Sequence, residues 1–145
     1  MPIVSLTREI SFAAAHRYHR PDWSDERNRM VFGACSNPHG HGHAYRLAVT
    51  VEGQVDPETG FAVNLVALDA LLHAVVTVPL DHQHLNHVVP EFAAGAQIPT
   101  TENIAMYLWP RIAGGLPAGA ILSHLRLFED STLYVDYRGE RTHVV

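Results

Sequence analysis

HGHAYRLAVTVEGQV, residues 41–55, alternates in polarity: Tyr45, Leu47, Val49 and Val51 fall on one face, Arg46, Thr50 and Glu52 on the other. A period of two marks a strand with one buried face, so the stretch predicts a β-strand. Its first residues also carry chemistry. Residues i and i+2 of a strand point the same way, which puts His41 and His43 on the apolar face with Tyr45, their Cα atoms about 6–7 Å apart. At that spacing two imidazoles can converge to ~2.0–2.1 Å from a zinc ion.

Upstream, residues 3–16 alternate in the same way. Val4, Leu6, Ile10, Phe12 and Ala14 share a face with His16, opposite Ser5, Thr7, Glu9 and Ser11, and Arg8 interrupts the apolar side as a candidate bend. The polar stretch 17–38 reads as a long loop, a length that is usually functional inside a compact domain. It lets His16, at the end of one strand, meet His41 and His43 at the start of the next. Three neutral imidazoles with a fourth position open is the donor set of a catalytic zinc site. The competing reading is a chance HxH pair on a surface. His39 extends the i, i+2 series, but Pro38 and the flanking glycines make its backbone irregular, so solvent or phosphate contact suits it better.

Downstream, Asp56-Pro57-Glu58-Thr59-Gly60 is a turn. Asn64 caps a helix carrying Leu65, Leu68, Leu72 and Val75 or Val76 until Pro79 stops it. A second helix starts near Thr100 and Thr101, with Ile104, Leu108 and Ile112 as its stripe and a kink or early fraying expected at Pro110. Strands at 121–129 and 132–138 close the chain. Ile121, Leu125 and Leu127 alternate with His124 and Arg126; Leu133, Val135 and Tyr137 alternate with Tyr134 and Asp136. The expected fold is α+β: one domain over residues 1–145, a four-stranded antiparallel sheet with two helices on one face. Its unpaired edges favour self-association.

Composition narrows the function. The chain has 145 residues, net charge −5, and ten Lys+Arg residues that are all arginine. Without lysine there is no Schiff base and no lysine general base. The acidic balance and lack of a basic stripe argue against nucleic acid as a partner. No apolar run approaches the ~20 residues of a membrane span, and the first residues lack a signal-peptide pattern. A single cysteine among 145 residues fits a reducing cytoplasm. The standout count is eleven histidines.

Four further sites carry chemistry. Cys35 is readable as an inert buried thiol, as a base or nucleophile beside a cation, or as a fourth zinc ligand closing a structural site. Asp81-His82, in a loop between the helices, is either a turn element or a carboxylate tuning an imidazole for proton transfer. Glu129 continues the apolar face of Leu125 and Leu127. It is either salt-bridged to arginine or a bidentate acceptor for a ligand's N–H donors. Thr100, Thr101 and Glu102 are accounted for by a helix start. No Gly-rich phosphate loop and no Gly-x-Ser-x-Gly elbow is present.

Taken together, ISFAAAHRY at 10–18, FGACSNPHGHGHAY at 32–45, VPLDHQHLN at 78–86, PTTENIAMYLW at 99–109 and LFEDSTLYVDYRGE at 127–140 resemble the 6-pyruvoyltetrahydropterin synthase family. The resemblance implies a ββααββ subunit of the tunnelling-fold type. Three subunits would close a barrel and two trimers would stack into a homohexamer, with active sites at the interfaces. It also implies zinc on His16, His41 and His43, Cys35 as catalytic base, and Asp81 and His82 as proton relay. Glu129 would be the pterin anchor, helped by Thr100, Thr101 and Glu102. The implied substrate is 7,8-dihydroneopterin triphosphate, converted to 6-pyruvoyltetrahydropterin with loss of triphosphate, an internal redox change needing no flavin or nicotinamide.

The rival within this resemblance is 6-carboxytetrahydropterin synthase of queuosine and deazapurine biosynthesis, which takes the same substrate and releases acetaldehyde. The five residues between Cys35 and His41 favour the pyruvoyl enzyme. Side-chain cleavage to 6-hydroxymethyldihydropterin is disfavoured by Cys35, where such relatives often carry glutamate. A reading of another class is a non-catalytic zinc- or pterin-binding module with a closed His3Cys site. Ala13, His39, Asp130 and Pro110 depart from the family pattern without removing a proposed ligand. For the triphosphate, Arg8, Arg17, Arg46 and His39 are the candidates.

Overall fold

The computed structural model describes residues 2–140. Strand β1 (Ile3–His16) pairs antiparallel with β2 (His41–Gln54) in unbroken register, Ile3 opposite Gln54 and His16 opposite His41. Arg8 therefore causes no bend. It stays extended opposite Val49 and reaches Asp69, its Nε and Nη2 donating at 2.8 and 2.7 Å.

The stretch 17–38 is not a bare loop. It holds helix α1 (Asp25–Phe32), capped by the Ser24 hydroxyl, and a 3₁₀ turn at Gly33–Ser36. The helix has little apolar stripe to betray it, and Asn28 is its one buried residue. Asn28 accepts from Arg20 N–H and donates to the Arg20 and Ser24 carbonyls.

Asn64 caps α2 (Leu65–Leu72), accepting from Ala67 N–H at 3.0 Å. Pro79 does not stop this helix. A π-helical turn (His73–Thr77) shifts the hydrogen-bond ladder so that Val78 N–H donates to His73, five residues back. The missing proline donor falls in that offset, and the chain continues through α3 (Val78–Leu80). Strand β3 (Gln83–His84) and the short α4 (Leu85–Val88) follow. Helix α5 (Thr101–Ala113) passes Pro110 without fraying, and Ile112 beyond it is fully buried. The lost bond lies on the outer side, at exposed Met106 and Pro110.

Strands β4 (Ile121–Phe128) and β5 (Tyr134–Tyr137) complete a five-stranded sheet of order β3-β1-β2-β4-β5. The expected four-stranded, wholly antiparallel sheet is thus corrected. The short β3 adds a fifth strand and runs parallel to β1, pairing at Ala14 and Ala15. Two residues of strand leave no periodicity to read. A second correction concerns β4. A bulge between Thr50 and Val51 leaves Ser123 without a partner, so Leu122 turns inward and Ile121 is 66% exposed. The Ser123 hydroxyl donates to the Thr50 carbonyl there.

The core forms where the apolar faces of β1, β2 and β4 meet the stripes of α2 and α5. Tyr45, Leu47, Val49 and Val51 pack with Leu68, Leu72, Ile104, Leu108, Leu125 and Leu127, all fully buried. No helix among the described residues is long and apolar enough to cross a membrane.

Candidate active site

The hydrophobic alternation of β1 and β2 ends in histidines. Register places His16 opposite His41 and Ala14 opposite His43, all on the core face. One ring nitrogen from each of His16, His41 and His43 lies within 4.8 Å of the others. The three ring centroids stand 4.8 to 5.1 Å apart. Gly40 makes this meeting possible. Its φ is +70°, and a Cβ there would sit 2.4 Å from the His16 carbonyl oxygen.

His16 is fully buried, and burial, followed by its neighbours His43 and His41, pushes its pKa down to about 3. It is neutral at pH 7, so its 3.6 Å approach to Glu129 is no ion pair. Its Nδ1 lies 2.6 Å from the hydroxyl of Tyr45, itself fully buried and stacked on Phe12. Burial raises the Tyr45 hydroxyl above its ordinary range, so it stays neutral. The Nε2 atoms of His16 and His43 are buried with no aligned hydrogen-bond partner among the described residues. Such orphaned buried acceptors cost about 1–3 kcal/mol each unless something fills them. The imidazoles therefore fit a divalent cation.

Three more groups crowd this cluster. Cys35, in the 3₁₀ turn, places Sγ 3.3 Å from His41 Nε2. Burial, then the Glu129 carboxylate, raises its thiol above the usual value. Glu129, one residue past β4 and 8% exposed, brings Oε1 to 3.2 Å from His43 Nε2. Among the described residues no arginine salt bridge holds it; its hydrogen-bond donor is the Tyr18 hydroxyl at 3.3 Å. The Tyr18 ring packs 4.5 Å from His16, and its N–H donates to the Cys35 carbonyl. Sequence reading missed Tyr18, although its position two residues beyond His16 gave the same parity clue that joined the histidines.

Thr100 caps α5 by accepting from Asn103 N–H at 3.1 Å, and Thr101 is buried. Glu102 is exposed, yet its charge is felt at the Tyr18 hydroxyl, which is raised mainly by burial.

Asp81 and His82 sit elsewhere, at the sheet's edge beside β1. Asp81 Oδ1 accepts from Ala13 N–H at 2.8 Å and Oδ2 lies 2.9 Å from His82 Nδ1. The Ala13 amide, then His82, holds the Asp81 carboxyl below the usual carboxylate range. His82 has φ +61° and a side chain 81% exposed. Among the described residues, neither hydrogen-bonds to Cys35 or to the three imidazoles. Both His82 and His43 border an open cavity of about 400 Å³ over Ala13, Ala15 and Ala44.

An α+β chain with a three-histidine cluster, one ring of it fully buried, and a thiol and a carboxylate at one end of its sheet defines a candidate metal-dependent enzyme. Comparison with known proteins makes this specific. A sequence profile described as 6-pyruvoyl tetrahydropterin synthase matches residues 5–140. The chain is 45% identical over 135 residues to 6-pyruvoyl tetrahydrobiopterin synthase of Poecilia reticulata, covering 93% of this chain and 90% of that one. It is 42% identical over 135 residues to the Homo sapiens protein of that name, covering 93% and 91%. The solved structure of Caenorhabditis elegans 6-pyruvoyl tetrahydropterin synthase matches with TM-score 0.87 and 34% identity, covering 97% of this chain and 98% of that one. The chain belongs to the 6-pyruvoyl tetrahydropterin synthase family, and its relatives make it a lyase-type enzyme of pterin synthesis.

Proposed function

We propose that this chain is a zinc-dependent lyase converting 7,8-dihydroneopterin triphosphate to 6-pyruvoyltetrahydropterin with loss of triphosphate. The observation that carries the reading is the convergence of His16, His41 and His43, with the Cys35 thiol 3.3 Å from His41 and buried Glu129 3.2 Å from His43. His16, His41 and His43 would hold the metal. When bound, zinc supplies Lewis acidity toward a substrate hydroxyl and favours the thiolate of a neighbouring cysteine.

The chain's own groups do the rest. Glu129, fixed by the Tyr18 hydroxyl, accepts N–H donors from the pterin edge, with Thr100, Thr101 and Glu102 at the adjacent helix start. Cys35 removes a carbon-bound proton from the side chain and returns one elsewhere. The relay Asp81–His82 exchanges that proton with solvent, Asp81 holding His82 by its Nδ1 so that Nε2 is free to act. Because the pair is exposed and makes no hydrogen bond to Cys35 of its own chain, we assign it to a thiol across a subunit interface. The outer edge of β1, paired only at Ala14 and Ala15 among the described residues, favours that association, and a homohexamer of two trimers is the proposed assembly.

Mass spectrometry of the products made by purified, zinc-loaded protein tests the reaction. A 6-pyruvoyl product is expected; a 6-carboxy product with acetaldehyde would reverse the assignment. Cys35→Ala tests the site. Zinc retained with turnover abolished supports the lyase, whereas zinc lost with the thiol would mean a closed structural centre.

A further inference from the structure

Five of the ten arginines are neutralised by a carboxylate. Arg8 pairs with Asp69, Arg20 with Asp22, Arg46 with Glu9, Arg111 with Glu91 and Arg126 with Asp136. Arg27 lies over the Trp23 ring at 3.9 Å. Arg17 and Arg29, like Arg138, have no carboxylate within the 4.0 Å of a salt bridge among the described residues, and these two line one cavity of about 120 Å³. Two arginines sharing a cleft unneutralised repel each other, an arrangement suited to an anion between them.

The rest of the lining agrees. His19 shares the cavity, and its Nδ1 is buried with no hydrogen-bond partner among the described residues. Ser36 and Asn37 add polar walls, and Asp25, in the first turn of α1, is the one carboxylate lining it among the described residues. Arg17 is held for the task. Its Nε donates to the Ser36 carbonyl at 3.1 Å, leaving the outer guanidinium donors free. Asn86 clamps its backbone from both sides, accepting from Arg17 N–H at 2.7 Å and donating to its carbonyl at 3.0 Å. The space suits one tetrahedral oxyanion, since a water's share of liquid volume is about 30 Å³.

The cavity also adjoins the active site through the chain itself. Arg17 and His19 flank Tyr18, which packs on His16 and binds the Cys35 carbonyl, and Ser36 follows Cys35. Of the arginine candidates for an anion, Arg8 and Arg46 are already paired, which leaves Arg17 beside His39.

We infer that Arg17, His19 and Arg29 form a phosphate-type oxyanion site, and that it takes the polyphosphate end of the enzyme's substrate. The second half rests on the function proposed above; the first does not. Arg29 is exposed on α1 and no side-chain hydrogen bond of the fold depends on it, so Arg29→Ala should fold.

Calorimetric titration of inorganic triphosphate into the zinc-loaded full chain is the test. Arg29→Ala and His19→Ala should each weaken binding about tenfold. Unchanged binding in both variants overturns the site, and heat from metal stripping would show as such an unchanged signal. A second arm reads turnover of 7,8-dihydroneopterin triphosphate by Arg29→Ala. A KM raised about tenfold with kcat nearly unchanged supports the substrate assignment. Weakened triphosphate binding with an unaltered KM overturns that assignment and leaves a site for free phosphate. If the wild-type chain does not turn over that compound at all, the proposed function fails while the calorimetric arm still decides the anion site.

Discussion

The three-histidine cluster and the Asp81–His82 pair are built by opposite means. The cluster lies on the core face, where the sheet's register and the packing of Phe12, Tyr45 and Tyr18 fix every ring. The Nε2 atoms of His16 and His43 are desolvated and lack aligned partners among the described residues, which suits them to a cation. The pair sits on the sheet's edge. Its two members satisfy each other and the Ala13 amide, and His82 extends into solvent. On the function proposed above, the first region would hold its metal within one chain and the second would act on a thiol of another copy. Removing a group from the first should abolish metal binding, and removing one from the second should leave it intact.

The sharpest break uses one histidine from each region. His43→Ala should cut bound zinc from about one per chain to near none and abolish turnover, read by elemental analysis and assay. His82→Ala should keep its zinc and lose about 10²–10⁴-fold in kcat, the usual weight of a positioned acid–base group. Mixed assemblies sharpen this further. Cys35→Ala should be inactive alone and His82→Ala nearly so, but hybrids of the two should recover part of the activity if thiol and relay come from different copies. Hybrids as inactive as the parents would place both halves of the reaction in one chain.

This contrast was visible in the residues only in part. Period-two alternation in 3–16 and 41–51 fixed the two long strands, and parity alone gathered His16, His41 and His43. The same rule failed at β4, because a bulge inserts a residue without leaving a sequence mark, so Ile121 and Leu122 exchanged faces. It could not see β3, since two residues carry no period, nor α1, whose polar surface offers no stripe. The prolines misled for a related reason. A proline removes one donor, and a π-helical turn or a solvent-facing carbonyl absorbs that loss without ending the helix. Tyr18 and Tyr45 passed as ordinary aromatic residues, because a hydroxyl's partner is set by tertiary approach.

Tyr45 tests how much of the cluster's readiness is imposed from behind. The Tyr45 hydroxyl stands 2.6 Å from His16 Nδ1, and a metal on Nε2 would require the imidazole proton on Nδ1, with that hydroxyl as its acceptor. Tyr45→Phe keeps the stacking on Phe12 and removes only that oxygen. Loss of an outer hydrogen bond to a metal-binding histidine typically weakens the metal 10–100-fold, to be measured by chelator competition with thermal stability as the control. Unchanged affinity would mean that ring packing alone orients His16.

The smallest expected effect separates the regions by acid sensitivity in the metal-free chain. His16 is neutral when folded, with a pKa near 3, and would take a proton near pH 6.5 when unfolded. The unfolded state therefore binds the extra proton, so His16 contributes a loss of stability as pH falls from about 6.5 toward 3. The slope is at most ~1.4 kcal/mol per pH unit and about 1 kcal/mol between pH 6.5 and 5.5. Asp81 behaves otherwise. Its folded pKa is depressed by the Ala13 amide and His82, so its contribution persists at mildly acid pH and is lost only below the usual carboxylate range. Denaturant unfolding at pH 7, 6 and 5 should show His16→Gln flattening the acid slope and Asp81→Asn leaving it unchanged. If Asp81→Asn flattens it instead, the buried cluster is not where the fold stores its acid sensitivity.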